Sequence, residues 1–95
     1  MFSKVPIDVD KIKKEDIDRE LIRVSIMAEL DAISLYEQMA NITEDLDLKA
    51  VLLDVAQEEK THVGEFQTML LRMDEEQAEE LEKGRGEVEE LTGKK

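Results

Sequence analysis

At 95 residues the chain is long enough for one small domain, a size at which a single hydrophobic core is only marginally stabilising. Hydrophobic residues make up 41% and charged residues 40%, with one proline and four glycines, a mixture that suits long helices better than a sheet. A net charge of −12 speaks against nucleic acid, whose phosphates demand a basic footprint. No apolar run reaches the roughly 18 residues of a membrane span, and zero cysteines exclude disulfides and thiolate metal ligands.

Met1 to Lys14 carries Pro6 and scattered charges without a sustained period and reads as an arm. Its start, Met1 to Asp10, lacks the basic residues and apolar stretch of a secretion signal. From about Glu15 to Ile42 there is neither glycine nor proline, and apolar residues recur at helical spacing. Asp16 and Asp18 suit the positive end of that helix. Thr43 to Asp45 is the connection, with Thr43 or Asp45 capping a second helix from Asp47 to about Met73 that contains Gly64. Asp74, followed by Glu75 and Glu76, reads as the N-cap of a short third helix ending near Lys83. Gly84-Arg85-Gly86 interrupts the pattern, so residues 84–95 are expected to form a charged tail or linker. The expected fold class is all-α: an antiparallel two-helix hairpin over residues 15–83 that includes the short C-terminal helix.

Both long helices carry a bundle-type stripe. In the first, Ile22, Ile26, Glu29, Ile33, Tyr36 and Ala40 follow a 4-3-4-3-4 spacing. In the second, Leu48, Leu52, Val55, Glu59, His62, Phe66, Met69 and Met73 do the same. Glu59 and His62 are three residues apart and so lie one above the other on one helix face. That is the spacing with which helical bundles hold di-iron or di-manganese centres, together with a Glu from a neighbouring helix. Glu29 supplies that residue, because the midpoint between positions 29 and 59 falls at Glu44 in the connection. Folding there brings the two carboxylates to the same height. A Glu-x-x-His on an acidic helix often arises by chance, and a lone histidine in a seam is commonly a packing residue. The convergence of all three groups on one seam favours metal, since buried carboxylates need a cation or a proton. Iron or manganese suits this sulfur-free set, and zinc also fits it.

Further apolar residues (Ile17, Leu21, Val24, Ala28 and Leu35 on one face, Met27, Met39, Leu53, Leu70 and Leu71 elsewhere) exceed what a hairpin can bury. A two-fold dimer turns two hairpins into a four-helix bundle and brings a second Glu and Glu-x-x-His to the axis.

The segments Met27-Ala28-Glu29-Leu30-Asp31-Ala32-Ile33-Ser34-Leu35-Tyr36-Glu37 and Ala56-Gln57-Glu58-Glu59-Lys60-Thr61-His62-Val63-Gly64-Glu65-Phe66 resemble the encapsulated ferritins, over roughly residues 15 to 92. The resemblance implies a half-ferritin that is cargo of an encapsulin shell, or in some archaea is fused to it, in the cytoplasm. It implies a di-iron ferroxidase centre at a dimer interface, with five dimers in a ring and the C-terminal helix contributing to contacts between dimers. Carried over by position, Glu29, Glu59 and His62 match the iron ligands, and Tyr36 matches a tyrosine beside the centre. The family also places acids next to the ligand Glu as an outer iron site. Here Ala28 stands at one such position and only Asp31 remains nearby. The tail Leu91-Thr92-Gly93-Lys94-Lys95 does not read as an address for the shell.

Three functional readings follow. The first is a ferroxidase that oxidises Fe(II) for storage inside the shell. The second is a structural helical assembly module whose polar seam is neutralised by zinc or protons. The third is a rubrerythrin-like di-iron peroxide reductase, although the cysteines of a rubredoxin-type electron site are absent.

Overall fold

The computed structural model of the chain describes residues 8–95, so Pro6 and the first half of the expected arm lie outside the described residues. Two short 3-10 turns, Val9–Lys11 and Lys14–Asp16, lead into three α-helices: α1 (Ile17–Ile42), α2 (Leu46–Met73) and α3 (Glu75–Thr92). Among the described residues there is no strand, and no helix is long and apolar enough to cross a membrane.

Local chemistry accounts for where each helix begins and ends. Thr43 leaves α1 in an extended conformation while its N–H donates to the Met39 carbonyl at 3.1 Å. Two residues later Asp45 caps α2, its Oδ1 accepting from the Leu48 N–H at 2.9 Å. Thr43 Oγ1 accepts from the Asp45 N–H at 3.2 Å, which tightens the three-residue connection. The fold is therefore the expected antiparallel hairpin, with α1 and α2 packed along their length. Asp74 is the one residue between α2 and α3, and its Oδ1 accepts from the Gln77 N–H at 3.0 Å.

The third helix differs from expectation. It does not stop near Lys83 but continues through Gly84 and Gly86 to Thr92. Each glycine in a helix interior costs about 1 kcal/mol relative to alanine. Arg85 offsets part of that weakness by bridging both sides of it. Its Nη2 and Nε donate to Glu82 Oε1 at 2.8 and 3.0 Å, and its Nη1 donates to Glu89 Oε2 at 2.8 Å. The hydrogen bond from Arg85, and then its charge, hold the Glu82 carboxyl below its ordinary value of 4.5. The helix ends at Gly93, whose φ of 70° is the left-handed C-cap conformation, with its N–H donating to the Glu89 carbonyl.

Little of this molecule is buried within one chain. Ala40, Ala56 and Leu70 are the fully buried apolar residues among those described. Apart from Ala40, the apolar stripe read from the sequence lies along an open face of the hairpin. Leu48, Met69 and Met73 are exposed, and Ile22, Ile26, Ile33, Tyr36, Leu52, Val55 and Phe66 are half-buried. The radius of gyration is 16.8 Å, against about 12 Å for a compact domain of this length. The molecule measures 46 × 43 × 19 Å, a flat shape. None of α3 is buried.

The Arg85 bridge has a direct test. Arg85→Ala is expected to fray residues 84–92 at neutral pH while α1 and α2 keep their helicity. Gly84→Ala and Gly86→Ala are expected to strengthen the same segment by up to about 1 kcal/mol each, since a methyl group at either position meets no neighbour. Cα chemical shifts along α3 report both effects. Unchanged shifts over 84–92 in Arg85→Ala would contradict this account of the helix.

Candidate metal centre

Glu29 stands in the middle of α1, and Glu59 and His62 stand three residues apart in the middle of α2. The short, capped connection over residues 43–45 holds the helices antiparallel, so the equal distances of Glu29 and Glu59 from position 44 become a meeting in space. Each of the three side chains offers a ligand atom, and these atoms all lie within 4.8 Å of one another. His62 Nδ1 is 3.4 Å from Glu59 Oε2 and 3.5 Å from Glu29 Oε2. These separations exceed those of good charge-assisted hydrogen bonds, which fall at about 2.7–2.9 Å.

Both carboxylates are mostly shielded, with side chains 19% exposed, while His62 is 43% exposed. Glu29 Oε2 is buried and accepts no hydrogen bond. A desolvated carboxylate oxygen without a donor is costly, and a second carboxylate beside it raises the cost. A cation placed among the three groups relieves both terms. Ligand atoms bound to one first-row divalent ion at about 2.0–2.2 Å sit roughly 3–4 Å apart from each other. The distances found here fit that arrangement with small side-chain adjustments. Two oxygens and one imidazole nitrogen form a hard-to-borderline donor set, suited to iron, manganese or zinc. A cation held by these three side chains alone would keep positions open, on the face of the hairpin that is itself uncovered.

The other candidates sit outside this cluster. Tyr36 is half-buried, seven residues beyond Glu29 in the same α1 stripe and so about 10 Å along the axis. Asp31 is half-buried and lies about 200° round the helix from Glu29. It does not join the cluster, and it already has an interaction of its own. Ala28 is exposed. Glu37 forms a cross-helix ion pair with Lys60, 3.1 Å apart, immediately beside Glu59 in the chain. Nothing in the sequence pattern points to that contact. A pair joining two helices 23 positions apart leaves no local spacing to find it by.

Comparisons with known proteins agree with the fold. A family profile described as EncFtn-like matches residues 5–84. The chain is 54% identical over 87 residues to a ferritin-like–encapsulin shell fusion protein of Pyrococcus furiosus, an alignment covering 92% of this chain and 25% of the fusion. It is 41% identical over 70 residues to the encapsulin nanocompartment cargo protein EncC of Myxococcus xanthus, covering 70% of this chain and 54% of that one. It is also 36% identical over 76 residues to the encapsulated ferritin-like protein of Rhodospirillum rubrum, covering 80% and 53% respectively. The chain thus spans a quarter of the first relative's length and about half of the other two. Among solved structures, that of the encapsulated ferritin domain from Pyrococcus furiosus matches with a TM-score of 0.83 at 50% identity. The match covers 98% of this chain and 95% of that one. A hairpin with one Glu facing a Glu-x-x-His, and a profile match over most of its length, place the chain in the EncFtn-like family of encapsulated ferritin-like proteins.

Proposed function

We propose that this chain is a ferroxidase, oxidising Fe(II) to Fe(III) at a di-iron centre completed by a second copy of itself. In this proposal the oxidised iron is stored inside an encapsulin shell. The observation that carries the reading is the cluster of Glu29, Glu59 and His62 with its orphaned carboxylate oxygen, set on an uncovered face. The names of the relatives, which couple ferritin-like proteins with encapsulin shells and cargo, support the container.

The surroundings of the cluster support the dimer. On the connection side lies an apolar groove of about 430 Å³ lined by Met39, Ile42, Leu48 and Leu52. On the opposite side lies another of about 320 Å³ lined by Leu21, Ile22, Phe66, Met69 and Met73. Along both helices the metal-binding residues fall between the two grooves. A two-fold axis through the cluster lays the connection of one copy over the far end of the other. Exposed residues such as Ile42 and Leu46, each nearly four-fifths exposed, then gain cover. The same axis doubles the ligand set to four carboxylates and two imidazoles, the complement that di-metal bundles use. Further association of dimers, with α3 between them, follows the ring of five that the family resemblance implies.

Within the site the chain's own residues have distinct tasks. Glu29 and Glu59 supply negative charge that balances an incoming cation and then its higher oxidation state. His62 supplies a neutral nitrogen donor on the same helical turn as Glu59, so the two act as a chelate. Tyr36, two turns along the stripe, is the aromatic neighbour that tunes the centre. Iron supplies the redox chemistry, each Fe(II) giving up one electron to dioxygen.

Three outcomes test this reading. Saturating Fe(II), at about 100 times its dissociation constant, should stabilise the dimer by about 2.7 kcal/mol. In native mass spectrometry that appears as a fall in the monomer fraction on adding Fe(II); an unchanged fraction would overturn the shared site. Glu59→Ala and His62→Ala should each slow iron oxidation at least about tenfold, a loss of 1.4 kcal/mol or more. Glu37→Ala and Glu65→Ala should stay near the parental rate, with Tyr36→Phe between the two groups. Equal losses across Glu59, His62, Glu37 and Glu65 would mean that bulk acidity handles the iron. Finally, Glu29→Gln with Glu59→Gln should melt in metal-free buffer no lower than the parent, because two close carboxylates have been neutralised. The same double variant should lose iron oxidation, and a parental rate would exclude these residues as the centre.

A further inference from the structure

α3 is 18 residues long, about 27 Å, and leaves α2 through one non-helical residue, Asp74, with φ −133° and ψ 88°. The Asp74 carboxylate serves two elements at once. Its Oδ1 caps α3 through the Gln77 N–H at 3.0 Å, and its Oδ2 accepts from Arg23 Nη2 at 3.2 Å, 51 positions earlier on α1. The same guanidinium is steadied from the other side, Nη1 donating to Glu20 Oε1 at 2.6 Å. Asp74 is well shielded, with its side chain 13% exposed. Apart from this elbow α3 has little of its own chain to rest on. It still carries an apolar row, Leu81, Val88 and Leu91, that stands exposed. Its eight glutamates against Lys83 and Arg85 complement single exposed lysines such as Lys13 and Lys14 of another copy.

We propose that the Arg23–Asp74 ion pair is a clamp that sets the angle at which α3 leaves the hairpin. It thereby aims the row Leu81, Val88 and Leu91 at a second copy of the chain. The aiming rests on the self-assembly reading above, whereas the clamp does not. Lever arithmetic makes the pair consequential. A swing of about 20° at Asp74 moves the far end of a 27 Å helix by roughly 9 Å, about one helix–helix spacing. An elbow that loose would miss any fixed docking groove. Arginine is required because its fork reaches Glu20 and Asp74 from two nitrogens, which a lysine ammonium does not reproduce.

The chain has no cysteine, so spin labels can be placed at Gln57→Cys on α2 and Glu90→Cys on α3 without background. Doubly labelled chain is diluted into excess unlabelled chain, and the distance within one chain is read by pulsed electron spin resonance. The parental elbow should give one narrow distribution. Arg23→Ala, Arg23→Lys and Asp74→Asn should each broaden it by an amount on the order of 9 Å. Asparagine caps a helix as well as aspartate does, so Asp74→Asn isolates the ion pair from the cap. Circular dichroism should show the helix content of every variant retained. In native mass spectrometry the variants should lose species larger than the dimer while the dimer persists. Distributions as narrow as the parent's, in variants with full helix content, would refute the clamp. Broad distributions with the larger assemblies intact would refute the aiming. A parent that forms no such assemblies would overturn the self-assembly reading, and the distances would still decide the clamp.

Discussion

Two carboxylates brought together on a half-shielded helical face are the constraint from which the rest of this molecule follows. Glu29 and Glu59 repel each other, and Glu29 has a buried oxygen with no donor to offset its desolvation. The imidazole of His62 beside them, with its Nδ1 3.4 Å from Glu59 Oε2 and 3.5 Å from Glu29 Oε2, is too far away for strong hydrogen bonds. A cation resolves the conflict without any change of fold. The helices hold the conflict in place, since the capped connection at Thr43–Asp45 fixes their register. The site is thus a cost written into the hairpin that a bound cation would offset.

The same hairpin is short of a core. Fully buried apolar side chains amount to two alanines and a leucine among the described residues, far less than an independent domain of this size needs. The open grooves on either side of Glu29, Glu59 and His62, and an α3 that leans on almost nothing, belong with that deficit. In the proposed assembly a second copy would supply apolar cover and the further ligands through one symmetry operation. On this account the metal site and the assembly are two aspects of one interface. Gains in stability from burial and from iron should therefore be coupled and not simply additive.

The hairpin and the meeting of Glu29, Glu59 and His62 were legible in the sequence because both depend on short-range periodicity. Glu59 and His62 share a face by their spacing alone, and Glu29 needed only the position of the turn. The caps at Asp45 and Asp74 were legible for the same reason. The length of α3 was not, because Gly84 and Gly86 read as a break until Arg85 is seen bridging Glu82 and Glu89 across them. Periodicity also assigns residues to a face without saying what covers it. Leu48, Met69 and Met73 share the stripe of Glu59 yet stand open, while Ala56 and Leu70 fill the contact inside the hairpin. The Arg23–Asp74 and Glu37–Lys60 pairs were out of reach, since each depends on how two separate helices approach.

The central claim is that iron is held between two copies by Glu29, Glu59 and His62 of each. Anomalous scattering at the iron absorption edge, from crystals soaked with Fe(II), tests it most directly. The account predicts a pair of iron peaks related by a two-fold axis, each within coordination distance of Glu29, Glu59 and His62. Iron found instead on the α3 glutamates, or no iron at the trio when crystals are saturated, would contradict it.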